Sequence, residues 1–176
     1  RGACRSFSGR PRSTPRANRS VKVTLLTVSH RQPAWVVDGC ADYERRLPRE
    51  WAFRVVEIKP AARTGNAAVD RVRGAEAERL QAALPKACRT IALDERGESW
   101  PTERFAERVR TWQGEARDLA FVIGGPDGLD PAFLSRAETR LSLSPFTMPH
   151  GLVRIVMVEQ LYRVATLLAG HPYHRS

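Results

Sequence analysis

The sequence predicts an α/β protein built on a mostly parallel sheet with helices on both faces. Three observations predict it. Short, β-branched apolar runs recur four times between residues 21 and 123. Each is separated from the next by a stretch whose apolar residues fall at helical spacing. The chain has 176 residues, one domain's worth, with no internal repeat and no second domain.

The elements follow in order. Residues 21–28 (VKVTLLTV) read as a buried strand, and residues 29–33 turn the chain. Residues 34–47 place Val36, Cys40, Tyr43 and Leu47 on one helical face, with Pro48 as the stop. Residues 53–58 (FRVVEI) form a second strand, followed by a polar loop over 59–66 containing Pro60 and Gly65. A second helix spans 67–84, alanine-rich, with Val69, Val72, Leu80 and Leu84, and stops near Pro85. Residues 89–94 (RTIALD) form a third strand and 95–101 a loop. Thr102 is a candidate cap for a helix with Phe105, Val109 and Trp112 on one side. Residues 119–123 (LAFVI) form a fourth strand that runs straight into Gly124-Gly125-Pro126-Asp127-Gly128. A short helix is expected over 131–140, then a fifth strand or extended loop over 141–148 broken by Pro145. The longest helix is expected over 152–169, with Gly170 marking its end.

Composition narrows the class. At 42% hydrophobic and 27% charged residues, the chain is neither disordered, collagen-like nor a coiled coil. Its longest strongly apolar runs, such as Ile155-Val156-Met157-Val158, are too short to cross a bilayer, so no membrane partner is expected. The formal charge is +10, but six arginines and no acids lie in the first twenty residues. The remainder holds 23 basic against 19 acidic residues, a mild excess that permits a polyanionic partner without demanding one. The three cysteines, Cys4, Cys40 and Cys88, form no C-x-x-C pair. That argues against a disulfide framework or a zinc site, and fits a reducing, cytoplasmic setting with no metal.

Residues 1–20 (RGACRSFSGRPRSTPRANRS) have one aromatic residue and no aliphatic periodicity, so they are expected to be a disordered basic tail. A transit peptide, a nucleic-acid-binding arm and sequence upstream of the true start are the competing readings, and the last is preferred. Arginine outnumbers lysine 26 to 3, which points to a GC-rich genome, where a valine codon at Val21 can initiate. The functional domain is then residues 21–176.

Four features could carry chemistry. The first is FVIGGPDG, at the carboxyl end of a predicted central strand, where parallel sheets bind ligands. Its glycines let backbone approach a ligand, yet neither a Walker lysine nor G-x-G-x-x-G is present, and alone it reads as a tight turn. The second is LSLSPFTMPHGLVR, a proline-bearing, non-helical stretch whose free backbone groups can read an adenine edge. The competing reading is an edge strand and turn, with His150 as a capping or surface residue. The third is the last helix, which carries Arg154, Glu159 and Arg163. A carboxylate within RIVMVEQLYRVATLLA is either functional or one half of a structural pair with Arg163, four residues on. The fourth is the terminus HPYHRS, chemically dense for a chain end that would otherwise be solvated.

Together, FVIGGPDGL, LSLSPFTMPHGLVRI and EQLYRVATLLAGHPYHR closely resemble the bacterial RlmH family, SPOUT-class methyltransferases that modify N3 of a pseudouridine in large-subunit ribosomal RNA. The resemblance runs from Val21 to Arg175 and is strongest in the last sixty or so residues. One departure is Gly151, where the family commonly has proline after the Pro-His pair. The resemblance implies a C-terminal trefoil knot, a homodimer, and S-adenosylmethionine held by Leu93, Gly124, Leu143, Ser144, Pro145, Phe146, Thr147 and Met148. The substrate would be ribosomal RNA within the assembled ribosome. Candidates for proton handling or charge stabilisation are His174, Tyr173, Arg154 and Glu159, and for gripping RNA, Arg163 and Arg175. A different nucleotide-using α/β enzyme and a non-catalytic ribosome-binding module remain the alternatives.

Overall fold

The structure, a computed structural model, describes residues 21–62 and 68–171. Five strands form one sheet: β1 (Val23–Val28), β2 (Arg54–Ile58), β3 (Arg89–Ser99), β4 (Leu119–Ile123) and β5 (Thr139–Ser142). Their spatial order is β2-β1-β4-β3-β5, and every pairing is parallel. β4 is therefore central, which is why all five of its residues are apolar and buried.

Successive side chains of a strand point to opposite faces, so each strand feeds two cores. On one face Leu25, Ile91, Phe121 and Leu141 pack beneath α1 (Ala34–Glu44), α3 (Thr102–Gly114) and α5 (His150–Leu168). On the other, Leu26, Val28, Ala92 and Val122 pack beneath Leu80 of α2 (Val69–Ala83) and Phe133 of α4 (Pro131–Arg136). α5 lies between α1 and α3 and buries Met157, Val158, Leu161 and Val164. Being covered on several sides, it reads as apolar almost all round. α4 begins where the sequence provides for it. Asp130 Oδ1 accepts hydrogen bonds from the backbone N–H of Ala132 (2.8 Å) and Phe133 (3.1 Å), and Pro131 fills the first helical position.

Several element boundaries differ from expectation, for identifiable reasons. Thr102 is not a cap. Pro101 occupies that position, and the Thr102 hydroxyl instead donates to Gln160 Oε1 of α5 at 3.0 Å. α4 stops at Arg136, because residues 139–142 are drawn into β5. β5 ends at Ser142, and residues 143–148 leave the ladder, so only the first part of the expected fifth strand is one. α5 starts two residues earlier than expected, at His150.

The largest difference is β3, which continues through the expected loop to Ser99. Leu141 of β5 is level with both Leu93 and Glu98 of β3, so residues 94–97 bulge out of the register. The bulge closes over β5 because Gly97 has no side chain. A Cβ there would lie 2.7 Å from the Leu141 carbonyl carbon and 2.8 Å from Arg140 carbonyl atoms. These are backbone atoms that cannot rotate aside. Gly97→Ala is expected to lower stability by about 1–3 kcal/mol, the usual cost of overpacking, read as a lower urea midpoint.

Candidate functional site

The carboxyl ends of β3, β4 and β5 share one rim of the sheet. Chain order reverses around β4, whose neighbours β1 and β3 belong to different parts of the sequence. Such switch points leave a crevice between diverging loops. A cleft of about 660 Å³ opens there, a size suited to a nucleoside-bearing ligand.

Three segments wall the cleft. After β4 come Gly124 to Leu129, turned back by a hydrogen bond from the Gly128 N–H to the Gly125 carbonyl (2.8 Å). Gly128 has φ +82°, a conformation that glycine adopts without strain. Gly124 is glycine for a different reason: a Cβ there would sit 2.8 Å from Gly128 C and from Leu129 N. From β3 come Leu93 and the bulge residues Asp94, Glu95 and Arg96. From the exit of β5 come Leu143, Ser144, Phe146, Thr147 and Met148, followed by His150 and Val153 of α5.

The β5–α5 segment is held by short-range contacts. The Ser142 hydroxyl donates to the Ser144 carbonyl (3.0 Å), and Ser144 Oγ accepts from the Phe146 N–H (2.9 Å). Thr147 Oγ1 reaches Glu95 Oε2 across the cleft mouth at 3.1 Å. Arg140 and Asp94 form an ion pair at 2.8 Å that ties β5 to the bulge. Phe146 is 79% exposed, an apolar ring left standing at the rim.

The residues expected around a cofactor thus converge. Leu93, Gly124, Leu143, Ser144, Phe146, Thr147 and Met148 all line the cleft, while Pro145 is exposed outside its walls. The other expected residues lie elsewhere. Arg154 is buried on the side of α5 facing α1 and pairs with Glu57 of β2 at 2.5 Å. Beside it, burial pushes the Cys40 thiol and the Glu44 carboxyl above their ordinary ranges, and the Arg154 charge opposes both shifts. Glu159 holds Arg163 at 2.8 Å and accepts from Gln160 Nε2 at 2.7 Å. Of the two readings of that carboxylate, the paired one describes what is seen. None of Arg154, Glu159 and Arg163 lines the cleft. Tyr173, His174 and Arg175 lie outside the described residues.

Some cleft residues escape a reading of motifs. Asp94, Glu95 and Arg96 follow a strand and look like an ordinary polar loop, and only the bulge aims them inward. Arg73 reaches the cleft from α2, where it reads as a surface helix charge. His150 is a wall of the cleft as well as the first residue of α5. Burial pushes its imidazole below the ordinary 6.5; the nearby Glu76 carboxylate and the Gly124 carbonyl, as acceptor, pull the other way. Burial therefore favours the neutral ring. Because its folded value lies below its unfolded one, the unfolded chain takes up the proton first on acidification. The stability tied to His150 is complete above about pH 6.5 and is lost as pH falls below it. Between pH 7.5 and 5.5 the wild type should therefore lose more stability than His150→Gln, compared by urea midpoints. Among the described residues, no group of three His, Cys, Asp or Glu side chains is placed to hold a metal ion. Among the described residues, no helix is long and apolar enough to cross a membrane.

Comparison with known proteins agrees with this geometry. Residues 21–174 match the family described as predicted SPOUT methyltransferase. Proteins named Ribosomal RNA large subunit methyltransferase H from Burkholderia thailandensis and Burkholderia mallei are each 46% identical over 156 residues, covering 89% of this chain and 100% of theirs. A crystal structure of a probable methyltransferase from Bordetella pertussis Tohama I superposes with a TM-score of 0.55 over 84% of this chain and 98% of that one. At 16% identity it bears on the fold alone. With a parallel sheet, a cleft at its switch point and a family match along the whole described body, the chain belongs to the SPOUT methyltransferase family.

Proposed function

We propose that this protein transfers a methyl group from S-adenosylmethionine to N3 of a pseudouridine in large-subunit ribosomal RNA, acting on the assembled ribosome in the cytoplasm. The observation that carries the reading is the cleft, built by a chain 46% identical to proteins named as large-subunit ribosomal RNA methyltransferases over their full length. The residues present fit the donor. Leu93, Leu143 and Val153 offer apolar walls to an adenine ring, and the segment 143–148 lies outside any strand ladder, where backbone groups can meet its edge. The glycine turn from Gly124 to Gly128 folds tightly on itself and gives the cleft a wall of backbone.

Bound there, S-adenosylmethionine supplies an electrophilic methyl group on a positively charged sulfur. The chain has two further tasks. It must hold the target nitrogen in line with that methyl, and it must take or stabilise the proton that makes an imide nitrogen a poor nucleophile. Arg154 and Glu159 already hold other partners, and the proton-handling role is assigned to His174 and Tyr173 for their side-chain chemistry. Arg175 and Arg163 serve RNA phosphate. The mildly basic body suits a substrate presented by a folded particle, which need not be gripped as naked RNA.

The working unit in this reading is a homodimer, with the C-terminal segment threaded as a trefoil knot. Trp35 and Val37 of α1 and Leu152 of α5 are exposed apolar residues. The two helix starts are neighbours, because a Cβ on Gly151 would lie 2.8 Å from Val36 Cγ2. A second copy covering this patch removes it from water. Trp35→Glu should shift the species to monomer by light scattering, without loss of the far-ultraviolet circular dichroism signal.

Ligand-induced thermal stabilisation tests the cofactor. S-adenosylmethionine should raise the melting temperature in a concentration-dependent way, whereas ATP and NAD should not. Stabilisation by ATP or NAD alone would favour a different nucleotide-using enzyme, and none at all would favour a ribosome-binding module.

A further inference from the structure

α2 carries two charged residues that ordinary helix-surface chemistry does not explain. Glu76 is only 4% exposed, although it is an acid in a helix otherwise rich in solvated charges. A carboxylate that far from water needs partners. Its Oε1 accepts the backbone N–H of Ala61, in the loop after β2, at 3.1 Å. Its Oε2 lies against Gly125, so close that a Cβ on Gly125 would meet it at 2.5 Å. One turn earlier, Arg73 donates from Nε to the Asp127 carbonyl at 2.7 Å. Residues three apart share a helix face, so both reach the glycine turn from the same side. α2 thus bonds the 124–128 turn through Arg73 at Asp127 and packs the Glu76 carboxylate against Gly125, while the turn continues directly from β4.

We propose that Arg73 and Glu76 are positioning residues for the cofactor cleft: from α2 they strap the Gly124–Gly128 turn into the shape that binds the methyl donor. The proposal rests on the reading of the cleft as the donor site. Pocket walls made of glycine have no side chains to lock them in place. A turn with this much conformational freedom needs an external brace if it is to be preorganised. The brace comes from a helix that supplies just one side chain, that of Arg73, to the cleft itself.

Glu76→Gln keeps an oxygen for the Ala61 N–H and removes the charge that lies against Gly125 and near His150. Arg73→Gln removes the reach to Asp127, and Arg73→Lys restores a donor. Two measurements are made on the full-length protein. Amide hydrogen exchange without ligand should be faster in both glutamine variants over residues 124–129 and unchanged in α3. Calorimetric titration with S-adenosylmethionine should show about tenfold weaker binding in both, with Arg73→Lys recovering at least half of the loss on a logarithmic scale. At saturating cofactor, turnover of Glu76→Gln, which does not line the cleft, should stay within about twofold of wild type and its KM for ribosomes should not change. Wild-type affinity together with wild-type exchange in the glutamine variants would overturn the strap, as would a fall in melting temperature with neither changed. Wild-type protein that fails to bind S-adenosylmethionine would overturn the cofactor reading instead, and the exchange data would still decide whether α2 braces the turn.

Discussion

Gly124→Ala is expected to weaken S-adenosylmethionine binding by at least about 100-fold while the sheet remains folded. The reason is local. A Cβ at position 124 would stand 2.8 Å from Gly128 C, 2.8 Å from Leu129 N and 2.9 Å from Leu129 Cγ. Two of these are backbone atoms in the returning limb of the turn, so the methyl group is accommodated only by moving that limb. The displacement falls on the wall of the cleft, and misplacement of about 1 Å near a binding site can cost about 100-fold. The stability cost should be of the order of overpacking, about 1–3 kcal/mol. Gly128 provides the contrast. No atom lies within 4 Å of a Cβ there, but its φ is +82°. Gly128→Ala should therefore pay backbone strain of about 1–2 kcal/mol without a steric push on the cleft. Titration calorimetry and circular dichroism on the two variants separate the effects. Equal affinities in Gly124→Ala and wild type would show that the turn is not part of the donor site.

His174→Ala is expected to cut turnover by about 100-fold or more and to leave cofactor binding unchanged. Removal of a positioned acid–base group costs about 100- to 10,000-fold. The expectation rests on chemistry rather than on observed position, since residue 174 lies outside the described residues. The imide proton must go somewhere, and two of the charged side chains considered for that task are already engaged. Arg154 is paired with Glu57, and Glu159 with Arg163. His150 is the competing group: it lines the cleft, but burial holds its basicity down. Single-turnover kinetics with saturating cofactor measure the step directly. Wild-type turnover in His174→Ala would remove it from the reaction and move attention to Tyr173.

Much of the architecture was legible because parallel sheets write a simple pattern. β4 is bounded in the structure as its apolar run predicts, since a strand buried on both faces has no polar residue to blur its ends. The alternation of strand and helix was equally readable. What escaped is tertiary in origin. The extension of β3 depends on Gly97 meeting the backbone of Arg140 and Leu141, more than forty residues away, and nothing near Gly97 announces that contact. Thr102 carries a good capping side chain, yet Pro101 takes the cap position and Gln160 takes the hydroxyl.

The site divides in the same way. Backbone-rich segments such as 124–128 and 143–148 were readable from glycine, proline and small hydroxyl residues, with the resemblance choosing among their meanings. Asp94, Glu95 and Arg73 were not, because their role depends on a bulge and on the direction of a helix face. The partner of Arg154 was equally hidden, since Glu57 lies 97 residues earlier in the chain.

The reaction itself is tested most directly by offering tritiated S-adenosylmethionine and this protein to ribosomes from a strain lacking the activity. The labelled nucleoside is then identified by mass spectrometry. Label recovered as N3-methylpseudouridine in large-subunit RNA is the predicted result. No transfer to those ribosomes, from protein shown to bind the cofactor, would contradict it.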